Sequence, residues 1–194
     1  MTNLKNKREA VDIFPLAKKG KRGYDRRQVE NYLEEVKTVF YEPTSNHNSK
    51  ITSKQLREKS FVLKNKGYDP RYVDAALDRL EDLFFERERN LIIETQGRES
   101  WDASVNQLLV ELLGRLKKPR TARFKKRSFL AHGYRISQVD AALDQIMSVI
   151  NRAELINVTQ IRQVRFHPQR GGYDEAQVDA FLDGVVEYLL SVKR

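Results

Sequence analysis

The sequence predicts an all-α protein of tandem helical repeats. Each repeat is a short helix, a Gly-Tyr-Asp loop and a longer heptad-patterned helix, packed as a bundle of short coiled-coil-like pairs. Three observations carry this. The stretch Gly67-Tyr68-Asp69-Pro70-Arg71-Tyr72-Val73-Asp74-Ala75-Ala76-Leu77-Asp78 recurs in four copies with fixed gaps. Apolar residues after each copy step by four, three and four positions. No strand pattern outweighs these helical ones.

The first copy is Gly23-Tyr24-Asp25 with Val29 and Leu33, the second Gly67-Tyr68-Asp69 with Val73 and Leu77. The third is Gly133-Tyr134-Arg135 with Val139 and Leu143, the fourth Gly172-Tyr173-Asp174 with Val178 and Leu182. Val always lies six residues after Gly and Leu ten after it, which marks a repeat protein.

The motif reads as a helix start. Gly supplies a left-handed or strained backbone for a tight loop, and Tyr lays a large ring over the helix entrance. Asp25, Asp69 and Asp174 stand where an N-cap belongs, with Gln28 and Gln177 three residues on, as in a capping box. Pro70 suits the first helical position. Arg135 departs from the cap pattern, and Ser137 is the expected substitute. The seams that follow are Val29, Leu33, Val36, Phe40; Val73, Leu77, Leu80, Phe84; Val139, Leu143, Ile146, Ile150; and Val178, Leu182, Val185, Leu189. They fit short coiled-coil pairs or plain amphipathic core helices. One such stretch does not separate the two, because a coiled coil needs about three or four heptads.

Along the chain, a short helix is expected over 4–12 and the first motif helix from about Arg26 to Tyr41. Residues 42–49 are polar and breaker-rich, a linker. Thr52 or Ser53 caps a short helix through Arg57 and Glu58, and the second motif helix runs from Pro70 to about Ile93. Residues 102–117 form an extra helix with Val105, Leu108, Leu109, Leu112, Leu113 and Leu116 on one face. The third motif helix spans Ile136 to Leu155, a short one Val158 to Val164, and the last closes near Val192. Four segments follow: 1–45, 46–98, 99–155 (with the extra helix) and 156–194.

The length of 194 residues allows a substantial core, and charged residues make up 32%. With no cysteine there is no disulfide or thiolate chemistry. No secretory signal and no bilayer-length apolar run is seen, so a cytoplasmic location is expected. The net charge of +9 directs attention to anionic partners. No acidic residue falls between Leu112 and Val139, where Arg115, Lys117, Lys118, Arg120, Arg123, Lys125, Lys126, Arg127 and Arg135 lie. A second cluster, Lys18, Lys19, Lys21 and Arg22, precedes the first Gly-Tyr. A merely solvated surface is the plain alternative.

Catalysis is not expected, nor any cofactor or metal. His47, His132 and His167 lack helical metal-pair spacing, and Gly171-Gly172 is a turn signal, not a phosphate loop. The carboxylates Asp74, Asp78, Asp140, Asp144, Asp179 and Asp183 read as a helix flank that pairs with neighbouring cations. Trp101 opens a helix as a core or staple residue.

Phe, a short basic loop, Gly-Tyr-Asp and Val-Asp-x-x-Leu-Asp together resemble the DivIVA N-terminal domain of bacterial division and polar-growth scaffolds. The likeness is clearest at Phe61–Leu80 and Phe166–Val185. It implies a crossed loop, a long helix pairing in parallel with a second copy, and attachment to the inner membrane face, at a pole or septum, through a loop-tip Phe-Arg pair. Here the corresponding pairs are Lys21-Arg22, Asn65-Lys66, Ala131-His132 and Arg170-Gly171, so that Phe is missing. Phe129-Leu130 beside Lys125, Lys126 and Arg127 is the expected replacement. The candidate contacts for an anionic partner or membrane are therefore Lys21, Arg22, Lys66, Arg123, Lys125, Lys126, Arg127, Phe129, Leu130 and Arg170. The long polymerising tail of typical family members is not found.

The expectation is a non-enzymatic scaffold or adaptor that binds division or envelope proteins and the inner membrane face, its four copies pairing internally as two pseudo-dimers or between chains. A soluble protein-binding adaptor and a nonspecific nucleic-acid binder are the alternatives.

Overall fold

The structure is a computed structural model that describes residues 12–41, 51–152 and 158–193, without the side chains of 151 and 152. The chain divides into two compact units, Met1–Glu88 and Arg89–Arg194. In the first lie β1 (Arg22–Tyr24), α1 (Arg26–Tyr41), α2 (Ser53–Arg57), β2 (Leu63–Asn65) and most of α3 (Pro70–Gln96). In the second lie α4 (Arg98–Leu116), β3 (His132–Tyr134), α5 (Ile136–Arg152), α6 (Val158–Arg162), β4 (Pro168–Arg170) and α7 (Glu175–Val192). The described chain is predominantly helical. Of the expected helix over 4–12 only Asp12 is described, outside any helix. The 42–49 linker and the end of the third motif helix near Leu155 lie outside the described residues.

The helix starts follow local chemistry. Asp25 and Asp69 each accept the N–H two residues on, at 3.0 and 3.1 Å, and Asp174 accepts that of Gln177 at 3.2 Å. Thr52 and Gln55 form a reciprocal capping box on α2. Three expected capping contacts are not made. Gln28 and Gln177 do not turn back on their own helices; their side-chain oxygens accept the N–H groups of Val62 and Lys125, at 3.0 and 3.1 Å. Ser137 lies inside α5, because Gln169 takes the Ile136 N–H at 3.2 Å and the Arg135 carbonyl takes that of Val139 at 3.1 Å. α4 begins at Arg98, ahead of the expected 102, because Gly97 at φ 86° turns the chain straight out of α3.

The strands depart from the sequence expectation. β1 pairs antiparallel with β2 (Arg22 opposite Asn65, Tyr24 opposite Leu63), and β3 with β4 (His132 opposite Arg170, Tyr134 opposite Pro168). Each is three residues long, too short for an alternating pattern, and is held by the other motif copy of its unit rather than by propensity.

The motif glycines sit where the two loops of a unit cross. A Cβ on Gly23 would fall within 3.0 Å of the Gly67 and Tyr68 carbonyls, and one on Gly67 just as close to those of Gly23 and Tyr24. Gly133 and Gly172 meet Tyr173 and Tyr134 backbone in the same way. Close approach is therefore what requires glycine. The left-handed backbone expected there falls one residue earlier, at Lys66 (φ 57°) and Gly171 (φ 63°).

Around each crossing the aromatic rings interlock reciprocally. Phe14 packs on Tyr68 and Tyr24 on Phe61, with ring centroids 5.5 and 5.3 Å apart. Phe124 packs on Tyr173 and Tyr134 on Phe166, at 5.3 and 5.2 Å. Such pairs contribute roughly 0.5–1.5 kcal/mol each beyond area burial. The Tyr ring thus covers the partner motif's Phe rather than its own helix entrance.

Below the crossing, the first core gathers Val29, Tyr32, Val36, Val39, Leu56, Phe61, Val73, Leu77 and Phe84, with Leu33, Phe40 and Leu80 half-buried against it. In the second unit Val139, Leu143, Ile146, Val178, Phe181, Val185, Val186 and Leu190 are buried with Leu112 and Leu116 of α4. The buried stripes include Tyr32, Phe181 and Val186 beside the seam, the wide face of amphipathic core helices. α3 also ties its neighbours' ends. Arg87 donates to the Val39 and Phe40 carbonyls at the end of α1, and Glu88 accepts the Ser53 N–H and hydroxyl at 2.8 and 2.6 Å at the start of α2. Each charge thus faces the helix end whose partial charge it complements.

Candidate functional site

The loop before each first strand carries the basic residues. In the second unit the extended segment after Phe124 closes in a turn, with the Ala131 N–H on the Ser128 carbonyl at 3.0 Å. Phe129 and Leu130 form its tip and are 78% and 73% exposed, although side chains of this size normally withdraw from water. Lys125 and Lys126 are exposed two residues or more before the turn, and Arg170 is exposed at the end of β4 opposite His132. Arg127 is exposed but donates to Asp174 at 3.2 Å, which restrains it.

Arg123 must be removed from the candidate contacts. Its side chain is buried, and its guanidinium donates to the Lys118 carbonyl (3.2 Å), the Asp140 carbonyl (2.8 Å) and the Asp144 carboxylate. Arg120 also binds Asp144. Hydrogen bonds from Arg120 and Arg123 hold the Asp144 carboxyl below the usual range. Part of the basic run is thus a structural network.

In the first unit the equivalent turn places the Lys21 N–H on the Lys18 carbonyl at 2.9 Å. Lys18, Lys19, Lys21, Arg22 and Lys66 are exposed there. Lys64 of β2 reaches Asp25, whose carboxyl that hydrogen bond lowers.

The remaining motif residues are architectural. Val29, Val73, Val139, Val178 and Leu143 are fully buried and Leu77 nearly so, while Leu33 and Leu182 are half-buried. One relationship escaped the sequence reading. The Tyr68 hydroxyl donates to Glu30 (2.6 Å), that of Tyr173 to Asp140 (3.1 Å) and that of Tyr134 to Asp179 (3.4 Å). Burial first, then the Asp179 charge, pushes the Tyr134 hydroxyl up to about 12, so it stays a donor. The signal was present as an acidic residue seven positions after every motif Gly: Glu30, Asp74, Asp140 and Asp179. The expected pairing of Asp74, Asp78, Asp140, Asp144, Asp179 and Asp183 with Lys or Arg is met at Asp144, by Arg120 and Arg123, and at Asp140, 3.8 Å from Arg123.

Among the described residues no group of three or more His, Asp and Glu side chains is placed to hold a metal, and no helix is long and apolar enough to cross a membrane. The chain matches no protein-family model, no curated protein and no solved structure.

Proposed function

We propose that this protein is a non-enzymatic scaffold or adaptor that attaches peripherally to an anionic membrane face and presents its helical modules to protein partners. The turn tip at Phe129-Leu130, with Lys125 and Lys126 beside it, carries this reading. Transferring two such side chains from water contributes about 3–6 kcal/mol, and two cations near an anionic leaflet about 2 kcal/mol more. That sum suits reversible binding in the micromolar to millimolar range, since about 8 kcal/mol corresponds to 1 μM. The resemblance to the DivIVA N-terminal domain supplies the cellular setting: division, polar growth or the envelope. In this reading the chain is a tandem repeat in which copies one and two, and copies three and four, act as two pseudo-dimers with coiled-coil-like helix pairs.

The test is cosedimentation of the full chain with phosphatidylglycerol-containing vesicles against phosphatidylcholine vesicles. Wild type should bind the anionic vesicles roughly 30-fold more tightly, and F129S/L130S should weaken that binding with unchanged helicity. Equal recovery with both vesicle types, or none with either, would overturn the membrane reading. Preferential binding to a DNA or RNA duplex would replace it. A fluorescent fusion in the native cell then tests the setting, with enrichment at poles or septa expected and a nucleoid signal counting against it.

A further inference from the structure

The equivalent turns of the two units end in opposite chemistry. Four and three residues before the motif Gly, the second unit has Phe129 and Leu130, and the first has Lys19 and Gly20. Gly20 sits at φ 82° with open space around it. The first turn is flanked by exposed Lys18, Lys21 and Arg22, and Lys66 lies at the end of the paired strand. From Ile13 to Tyr24 and from Lys59 to Tyr68 there is no acidic residue. Asp25 is engaged by Lys64, and Asp69, on which the charge of Lys18 acts, is already paired with Arg71 at 2.6 Å. The half-exposed Leu63 lies opposite Tyr24, at the far end of the ribbon from the turn.

Lysine is a compact, strongly hydrated charge, so the turn of Lys18, Lys19, Gly20 and Lys21 gains from phosphates at a surface rather than from hydrocarbon. We propose that the first unit carries a second, purely coulombic contact for an anionic bilayer, in which Lys18, Lys19, Lys21, Arg22 and Lys66 attract lipid phosphates without entering the membrane. This rests on the reading of the second unit's turn as a membrane contact and deepens it. The two contacts then respond to different variables. Attraction by exposed lysines is screened once the Debye length falls to about 10 Å, near 0.1 M salt, whereas an inserted Phe-Leu tip is not. Removing each cation should weaken binding by about five-fold.

The experiment uses the full chain and vesicles of phosphatidylglycerol in phosphatidylcholine, titrated with sodium chloride. In F129S/L130S, residual binding should persist at low salt and vanish as salt rises. Adding K18Q, K19Q, K21Q and R22Q to that background should weaken it by a few hundred-fold, at about five-fold for each cation. Because the chain has no cysteine, a polarity-sensitive dye attached to K19C or to L130C reports one site at a time. The dye at residue 130 should shift to the blue on vesicles, and the dye at residue 19 should not. If the four Gln substitutions leave low-salt binding unchanged, the first unit is not a contact, while the turn of the second stands. A blue shift at residue 19 would overturn the non-inserting contact, and so would residual binding that moves to RNA in preference to vesicles. Failure of wild type to bind at any salt would instead overturn the underlying membrane reading.

Discussion

Gln28 accepts the Val62 N–H at 3.0 Å, tying the first motif helix to the residue after the second motif's Phe. The same bond joins Gln138 to His167 at 2.9 Å and Gln177 to Lys125 at 3.1 Å. At the fourth such position both partners have changed: Pro15 has no N–H to give, and Tyr72 has no amide oxygen to receive it. The Pro15 carbonyl still accepts the Asp69 N–H at 2.8 Å, as its counterparts do in the other copies. The missing bond is therefore absent on both sides at once. Restoring both halves with P15V and Y72Q should add a hydrogen bond that neither substitution adds alone. A double-mutant cycle in urea should show a favourable coupling of about 1 kcal/mol. Strict additivity would mean that the two positions do not meet.

The crossing glycines predict a sharper asymmetry. Gly67→Ala and Gly172→Ala place a methyl on backbone carbonyls that have no room to yield, and each should cost about 3 kcal/mol or more. Gly114, on the exposed side of α4, has open space where its Cβ would be. Gly114→Ala should stabilise the chain by up to about 1 kcal/mol. Chemical unfolding of the three variants decides it. Similar small effects at all three would mean that the loops do not cross closely.

Much of the fold was legible because helices announce themselves locally. Thr52 or Ser53 ahead of the short helix, Pro70 after Asp69, and the spacing from Val29 to Phe40 each state a start or a buried face within a few residues. The strands were not legible, since three residues from each copy become a ribbon only when another copy lies alongside. For the same reason the glycines were assigned to left-handed backbone instead of to the crossing. The basic run misled in a related way. Arg123 and Lys125 look alike in sequence, but Asp140 and Asp144 lie 17 and 21 positions from Arg123, and only folding brings them to it. The exposed Phe129-Leu130 tip was legible, because an apolar pair inside a cationic stretch has no helical face to join.

The Arg120–Asp144–Arg123 network sets a pH dependence. The folded Asp144 carboxyl lies below its ordinary value, Arg120 being the larger cause and Arg123 the next. A depressed carboxyl lends stability that is complete above the unfolded value, about 4, and is lost as pH falls through the folded value. D144N should therefore unfold at a lower temperature than wild type at neutral pH. The difference should shrink as pH drops below about 4. Thermal midpoints of both proteins across that range provide the check, and a gap that stays constant into acid would detach Asp144 from the stability of the second unit.

Leu143 and Leu182 hold the same place in their motifs, ten residues after Gly, yet Leu143 is fully buried while Leu182 is only half-buried. A uniform seam would give both the same cost on truncation. The packing does not, because Phe181, Val185 and Val186 fill the buried side of α7. Leu143→Ala should cost about 2–5 kcal/mol, with Leu77→Ala in the same range, as expected for side chains in closed surroundings. Leu182→Ala should cost clearly less, since part of that side chain is already in water. Urea unfolding of the single variants at low protein concentration measures these costs, and repeating it at high concentration adds the decisive control. If the Leu182 variant loses as much as the Leu143 variant only when the protein is concentrated, a second chain covers Leu182 and the seam of α7 pairs between molecules.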